Sequence, residues 1–119
     1  RYLELGGDPV DEEGKPVDGA VIDKRAAAGD EAAIAAEARS GHAIGEVLGS
    51  LSNMLDPECI ILSGSVALCG PAWHDAMDAG WREAAMPPVA ATPIVSGDLG
   101  GDAPLIGAAE NIVKSAYAD

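Results

Sequence analysis

A short, uninterrupted apolar run is the feature that most restricts the fold of this chain. Cys59 is followed by Ile60, Ile61 and Leu62, and the run ends in the small residues Ser63-Gly64-Ser65. A strand with one face in water alternates apolar and polar residues, whereas a strand of a parallel sheet, covered on both faces, does not. A second short strand is predicted over Thr92 to Ser96, where Pro93 favours an edge or a strand start. The chain is therefore predicted to be an α/β protein with parallel strands.

The segments around the two predicted strands have the spacing of helices. A short helix is predicted near Val21 to Ala28, and a longer one follows the N-cap residue Asp30. Gly41 is expected to break or bend this longer helix. Two further helices are expected to begin at Pro71 and Pro104, because proline is favoured in the first helical turn. The predicted order is α-α-β-α-β-α, with a helix connecting the two parallel strands.

Two faces are expected on the longer helix. Gly41, Gly45 and Gly49 recur every four residues, so they share one face, where another backbone can approach closely. The apolar residues at helical spacing are Ile44, Val47, Leu48, Leu51, Met54 and Leu55. We expect close helix packing at the glycine face.

The composition predicts a core that is poor in large side chains. Hydrophobic residues make up 48% of the 119-residue chain, but aromatic residues make up only 3% and phenylalanine is absent. Alanine buries little apolar surface compared with leucine or isoleucine, so the chain is expected to pack against another domain or subunit. Two strands are also too few for a free-standing doubly wound sheet, so further strands are expected upstream or from a second chain.

Charge and cysteine content exclude several classes of partner and site. The net charge of −13 disfavours direct binding to nucleic acid. No apolar stretch approaches the ~18 residues that a membrane helix needs. Cys59 and Cys69 are too few for a disulfide framework, and are interpreted as free thiols in a reducing cytosol. The prediction is a cytoplasmic protein without a membrane segment and without a metal site.

Two loops are candidates for ligand binding, because ligands of parallel sheets bind beyond the carboxyl ends of the strands. One is Ser63 to Val66, and the other is Gly97 to Asp102 at the start of the last helix. The alternative for both is a tight turn that requires glycine only for its backbone geometry. Neither loop has the Gly-Lys-Ser/Thr ending of a P-loop. His42 and His74, on predicted helices, are interpreted as surface or packing residues.

Several segments, in order, resemble the C-terminal end of the ROK family, which groups bacterial sugar kinases, glucokinase-like enzymes and sugar-responsive transcriptional repressors. Asn53-Met54-Leu55-Asp56-Pro57-Glu58 with the strand after it is the most specific of them. The full set is Ala27-Ala28-Gly29-Asp30-Glu31-Ala32-Ala33, Leu48 to Glu58, Ile60-Ile61-Leu62-Ser63-Gly64-Ser65-Val66-Ala67 and Ala103-Pro104-Leu105-Ile106-Gly107-Ala108-Ala109. Arg1 to Gly7 also fits the segment that precedes these in the family.

The resemblance implies an actin-like, hexokinase-like (ribonuclease H-like) ATPase fold of two α/β domains, in which ATP with Mg²⁺ phosphorylates a sugar hydroxyl. It implies that Gly64 and Ser65 help to hold the nucleotide. Ser63 replaces the usual first glycine of the pair, and its Cβ is expected to crowd the nucleotide. The catalytic aspartate, the phosphate-binding and sugar-binding segments and the cysteine-rich zinc motif of the family belong upstream of these residues.

The resemblance therefore implies the C-terminal fragment of an ATP-dependent sugar kinase, with no catalytic residue of its own and inactive alone. The alternative is the sugar-sensing C-terminal domain of a ROK-type transcriptional repressor, and a third is a binding module without catalysis. Residues 1–29 are predicted to form an acidic loop and short helix, and residues 30–119 the C-terminal α/β subdomain. The expected partners are the N-terminal half and a second copy in a homodimer built on the longer helix and the last helix, with sugar and ATP bound by the whole protein.

Overall fold

The computed structural model describes residues 1–117 and contains four α-helices and two parallel strands. The helices are α1 (Gly19–Ala27), α2 (Glu31–Leu55), α3 (Pro71–Ala84) and α4 (Ala103–Ala116), and the strands are β1 (Ile60–Leu62) and β2 (Ile94–Ser96). Short 3-10 helices occupy Leu3–Leu5, Ser65–Leu68 and Gly100–Asp102. The predicted mixed α/β class and the parallel pairing are confirmed. Within the described residues, no helix is long and apolar enough to cross a membrane.

The chain divides into two compact units. The first, here called the helical unit, comprises residues 1–58 and 69–92, and the second, the strand unit, comprises residues 59–68 and 93–119. The helical unit contains α1, α2 and α3. The strand unit contains β1, β2 and α4.

One continuous helix spans the segment that was expected to break at Gly41. α2 runs unbroken from Glu31 to Leu55, and Asp56, in the left-handed conformation with φ 46°, ends it. Gly41 does not break the helix because it lies against the backbone of α3: a Cβ there would overlap the Trp73 carbonyl oxygen. The glycine removes side-chain volume at a contact, and tertiary packing outweighs its low helix propensity.

The face of α2 that is buried is the small-residue face. Its buried residues are Ala33, Glu37, Gly41, Gly45, Gly49 and Ser52. On α3, Gly80 faces the His42 carbonyl oxygen in the same manner, so the two backbones touch with little side chain between them. The close packing predicted at the glycine face is therefore made within the chain. By contrast, most of the large apolar residues of α2 are exposed, with Leu48 half-buried and Met54 81% accessible.

The core of the helical unit combines these small residues with a few large ones. Trp73, Met77 and Trp81 of α3 are buried, together with Tyr2 and Val89. At the end of α3, the Asn53 amide donates to the Ala84 carbonyl oxygen at 2.9 Å and accepts from the Met86 N–H at 2.8 Å. This double hydrogen bond joins the ends of α2 and α3.

The start of α2 is held by a network of hydrogen bonds around Asp30. Its carboxylate caps the helix by accepting from the Ala33 N–H at 3.0 Å, and it accepts from the Tyr2 hydroxyl at 3.1 Å. The Arg25 guanidinium donates to the same hydroxyl at 2.8 Å and to the Asp8 carbonyl oxygen at 2.8 Å. One capping residue thus joins the N-terminal segment to α1 and α2.

The cap predicts how stability depends on pH. The Ala33 N–H first, and then the Tyr2 hydroxyl and the Arg25 charge, lower the pKa of Asp30 below the ordinary value of an aspartate. A lowered pKa in the folded state stabilises the fold above the ordinary value, and this contribution is lost as the pH falls through the folded pKa. Asp30→Asn, which keeps a capping oxygen, is expected to lower the melting temperature at neutral pH and to approach the wild type in acid. Thermal unfolding followed by circular dichroism from pH 7 to pH 3 measures both, and a difference that grows in acid would contradict the assignment.

The strand unit has an open sheet. β1 and β2 pair in parallel with the register Ile60 to Ile94, Ile61 to Val95 and Leu62 to Ser96. Ile61 and Val95 share one face and are 66% and 43% exposed. None of the residues of this unit whose burial is described is buried. Apolar strands of parallel sheets are normally covered on both faces, so this unit has the surface of an internal layer.

Candidate functional site

The carboxyl ends of the two strands bring together the two loops that were predicted to bind a ligand. We call Ser63–Val66 and 97–102 the strand-end loops; both belong to the strand unit. The Gly97 N–H donates to the Leu62 carbonyl oxygen at 2.8 Å, one residue beyond the last strand pair. The parallel register continues through this bond and aligns the starts of the two loops.

Gly64 is the position of the first loop that needs glycine for its backbone. Its φ is 91°, in the left-handed region, and a Cβ built on it would meet no atom within 4 Å. A side chain there would be strained by the backbone and not by crowding. The 3-10 helix Ser65–Leu68 follows directly, and the Ala67 N–H donates to the Gly64 carbonyl oxygen at 3.2 Å. The open space beside Gly64 leaves its backbone accessible to a ligand.

Ser63 is exposed and has no left-handed backbone, so the conformation of the loop does not require glycine there. The effect of serine at this position is confined to the volume and hydroxyl of its side chain. Gly97 lies beside it: a Cβ on Gly97 would be 3.7 Å from the Ser63 Cβ and 3.4 Å from the Ile61 Cγ2. Ser63 and Gly97 thus form the junction of the two strand-end loops.

The second loop leads into α4 without a side-chain cap. Gly100 has a φ of 52°, and Asp102, the N-cap residue of α4, makes no capping hydrogen bond with its side chain. The loop contains Asp98 and Asp102 and no lysine or arginine, and Lys114 of α4 pairs with Glu110 at 3.3 Å. The strand-end loops therefore offer backbone groups, hydroxyls and negative charge. Such a surface suits the uncharged part of a nucleotide better than its phosphates, which need cationic partners.

The two histidines lie on helices in the helical unit. Nε2 of His42 is 3.2 Å from a Glu83 oxygen and Nδ1 is 3.5 Å from a Glu46 oxygen; both glutamates are exposed and the histidine is half-buried. The His74 ring packs edge-on against the Trp73 ring, with centroids 5.0 Å apart. Ion pairs near the surface, such as those of His42 with Glu46 and Glu83, contribute little to stability.

A second set of polar groups, absent from the residues that the sequence predicted for a site, lies in the helical unit. Asp23, Glu37 and Cys69 bring ligand-type atoms within 4.8 Å of one another. Burial, followed by the charge and hydrogen bond of Asp23, raises the pKa of Glu37, and burial with the charges of Glu37 and Asp23 raises the pKa of the Cys69 thiol. The signal in the sequence was the position of Glu37, midway between Ala33 and Gly41 at the four-residue spacing of the buried face.

Comparison with protein families supports the resemblance seen in the sequence. The sequence model of the ROK family matches residues 7–115, which is nearly the whole chain. The chain belongs to the ROK family. None of the curated proteins compared with it matches. ROK membership is compatible with a sugar kinase and with a ROK regulator, and does not distinguish between them.

Proposed function

We propose that this ROK chain is the C-terminal α/β part of an ATP-dependent sugar kinase with an actin-like fold, and that its strand-end loops contact the adenosine end of ATP. The observation that carries the proposal is the accessible junction at the ends of two parallel strands, where Gly64 is open and Gly97 leaves room beside Ser63. Ligand sites of parallel α/β proteins lie at such strand ends.

The charge of the strand-end loops supports contact with the base and ribose of ATP and not with its phosphates. Asp98 and Asp102 repel a triphosphate, and neither strand-end loop has a basic side chain. The residues present fit the base and ribose, with Ser63 and Ser65 as hydrogen-bonding hydroxyls and Gly64 as a close backbone contact. Mg²⁺ and the phosphates would be held by other parts of the kinase. In phosphoryl transfer the protein contributes mainly by positioning and by charge stabilisation, and this chain contributes to positioning.

The exposed apolar surfaces of both units support the proposal that other parts of the protein, or a second copy, cover them. Ile61 and Val95 of the open sheet, and the exposed residues Leu105, Ile112 and Val113 of α4, are large side chains that would be covered by more of the sheet and by neighbouring helices. We assign the cover of the strand unit to the N-terminal half of the kinase. The exposed stripe of α2, which includes Val47 and Leu51, is our proposed contact of a homodimer.

Binding of nucleotides to the chain tests the adenosine assignment. ATP and adenosine are both expected to bind weakly, with Kd in the millimolar range or about −4 kcal/mol, and to shift the amide resonances of the same residues in both strand-end loops. Glucose is expected to cause no shifts. Micromolar binding of a hexose, or nucleotide shifts confined to the helical unit, would overturn the proposal.

Ser63→Gly is expected to tighten binding of ATP and adenosine about tenfold, because it removes the side chain that narrows the junction. Gly64→Ala is expected to weaken binding, since its Cβ would occupy the open space and strain a φ of 91°. Ser40→Ala, on the exposed surface of α2, is the matched control and should leave the affinity unchanged. Equal affinities for all these variants would show that the junction does not contact the nucleotide.

An activity test on the complete polypeptide that contains this chain would distinguish a kinase from a regulator. A kinase is expected to release ADP only when ATP and a hexose are present together. Sequence-specific DNA binding that a sugar reverses, without ADP release, would assign the chain to a regulator instead. Ser63, in place of the usual glycine, is the feature of this chain that would suit a protein with weakened nucleotide binding.

A further inference from the structure

Three segments of the helical unit meet at a small polar cluster. Asp23 lies in α1, Glu37 in α2, and Cys69 directly before the Gly70-Pro71 start of α3. One carboxylate oxygen from each acid and the Cys69 sulfur all lie within 4.8 Å of one another. The cluster is therefore formed by the fold, from residues far apart in sequence.

Glu37 gives this cluster a feature that surface acids lack. The residue is 7% exposed, and its Oε2 atom has no hydrogen-bond partner among the described residues. Together with Asp23 and Gly70, it lines a cavity of about 170 Å³. A buried carboxylate oxygen without a partner costs free energy unless a cation or a donor satisfies it. The orphan oxygen thus points to a missing binding partner at this position.

We propose that Asp23, Glu37 and Cys69 bind a divalent transition-metal ion, with Zn²⁺ as the best match. Two carboxylates and one thiolate are a donor set that zinc accepts, whereas Mg²⁺ and Ca²⁺ prefer oxygen ligands alone. The cavity, which Asp23 and Glu37 line beside the cluster, has room for a water molecule as the fourth ligand of a tetrahedral site. Ligand atoms of such a site lie about 3.5 Å apart, and the three ligand atoms here lie within 4.8 Å of one another, so small side-chain movements suffice to close the site.

The surroundings of the cluster hold its ligands in place. Oδ1 of Asp23 accepts a hydrogen bond from the Gly70 N–H at 3.0 Å, which fixes the carboxylate next to Cys69. Bonds of this kind orient metal ligands. A metal ion here would link α1 and the start of α3 to the middle of the small-residue face of α2. Its role would be structural, and the proposal does not depend on the function proposed for the strand-end loops.

Metal titration of the reduced, chelator-treated full chain tests the site. Co²⁺ is expected to bind at one equivalent with a thiolate-to-metal charge-transfer band, and Zn²⁺ to displace it. Zn²⁺ is also expected to raise the melting temperature, because it binds the folded state preferentially. Mg²⁺ should do neither. Absence of the charge-transfer band together with an unchanged melting temperature would overturn the proposal and leave a pair of carboxyl groups that shares a proton.

Variants locate the bound ion. Cys69→Ser is expected to remove the charge-transfer band and weaken Zn²⁺ binding about 100-fold or more, and Glu37→Gln to weaken it while its circular dichroism spectrum stays that of a folded helical protein. Cys59→Ser, which changes the other free cysteine, is the matched control and should retain the band. If Glu83→Gln abolishes binding while Cys69→Ser retains it, the ion binds at the cluster of His42, Glu46 and Glu83 and the proposal fails.

Discussion

Replacing Gly45 by alanine is expected to destabilise the helical unit by about 3 kcal/mol or more. The new Cβ would overlap the Met77 carbonyl oxygen and would lie 2.6 Å from the Trp81 backbone nitrogen. Both obstacles are backbone atoms, so no side-chain rotation relieves them and the two helices must separate. The helix propensity gained by alanine, about 1 kcal/mol, is too small to compensate. Urea unfolding followed by circular dichroism measures the loss.

Gly19→Ala is the matched control for this experiment. Gly19 is the first residue of α1, in the same unit, and a Cβ there would meet nothing within 4 Å. Its free energy of unfolding should stay within about 0.5 kcal/mol of the wild type. If Gly45→Ala were tolerated as well as Gly19→Ala, α2 and α3 would not pack backbone to backbone.

Trp81→Ala is expected to cost about 3 to 5 kcal/mol, the range found when large buried aromatic residues are removed. Trp81 is 2% exposed, and its indole N–H donates to the Ala90 carbonyl oxygen at 3.5 Å. Because small domains are stable by only about 5 to 15 kcal/mol, this loss would remove a large share of the free energy of unfolding.

Trp73→Phe is expected to destabilise the protein much less than Trp81→Ala. Trp73 is equally buried, but its Nε1 has no hydrogen-bond partner among the described residues. Phenylalanine keeps most of the ring and removes the unpaired donor, so the cost should stay below about 1.5 kcal/mol. Thermal unfolding of Trp81→Ala and Trp73→Phe measures the contrast. A loss for Trp73→Phe as large as that for Trp81→Ala would contradict the expectation that a phenyl ring keeps most of the packing at position 73.

The sequence predicted the helices and strands of this fold better than it predicted which of their faces are buried. Asp30 as an N-cap, Pro71 at the start of a helix and the parallel pairing of the two strands all depend on local chemistry, and all are found in the structure. The exception is Gly41, where propensity predicted a break. Its role is set by the Trp73 carbonyl oxygen, which lies more than thirty positions away in the chain, and no local pattern contains that contact.

Burial was the least predictable property. Ile44 and Leu51 recur at helical spacing and are exposed, whereas the buried face of α2 contains Gly45 and the acid Glu37. Apolar periodicity identifies a face that avoids water, and does not say whether this chain or another one covers it. The strand-end loops were predicted because strand ends and glycines are visible in sequence. The cluster of Asp23, Glu37 and Cys69 was not, because its members approach one another only in the folded helical unit.

The glycine face and the apolar stripe place two different demands on α2. Toward α3 the helix is constrained in volume, because a Cβ at Gly41, Gly45 or Gly49 would overlap atoms of α3 or of the residue after it. On the exposed side it is constrained in polarity, because Val47, Leu51 and Met54 require a cover and not a particular shape. The small-residue face of α2 therefore fixes the distance between α2 and α3. The distance from α2 to whatever covers its apolar stripe would be set by the side chains of that partner.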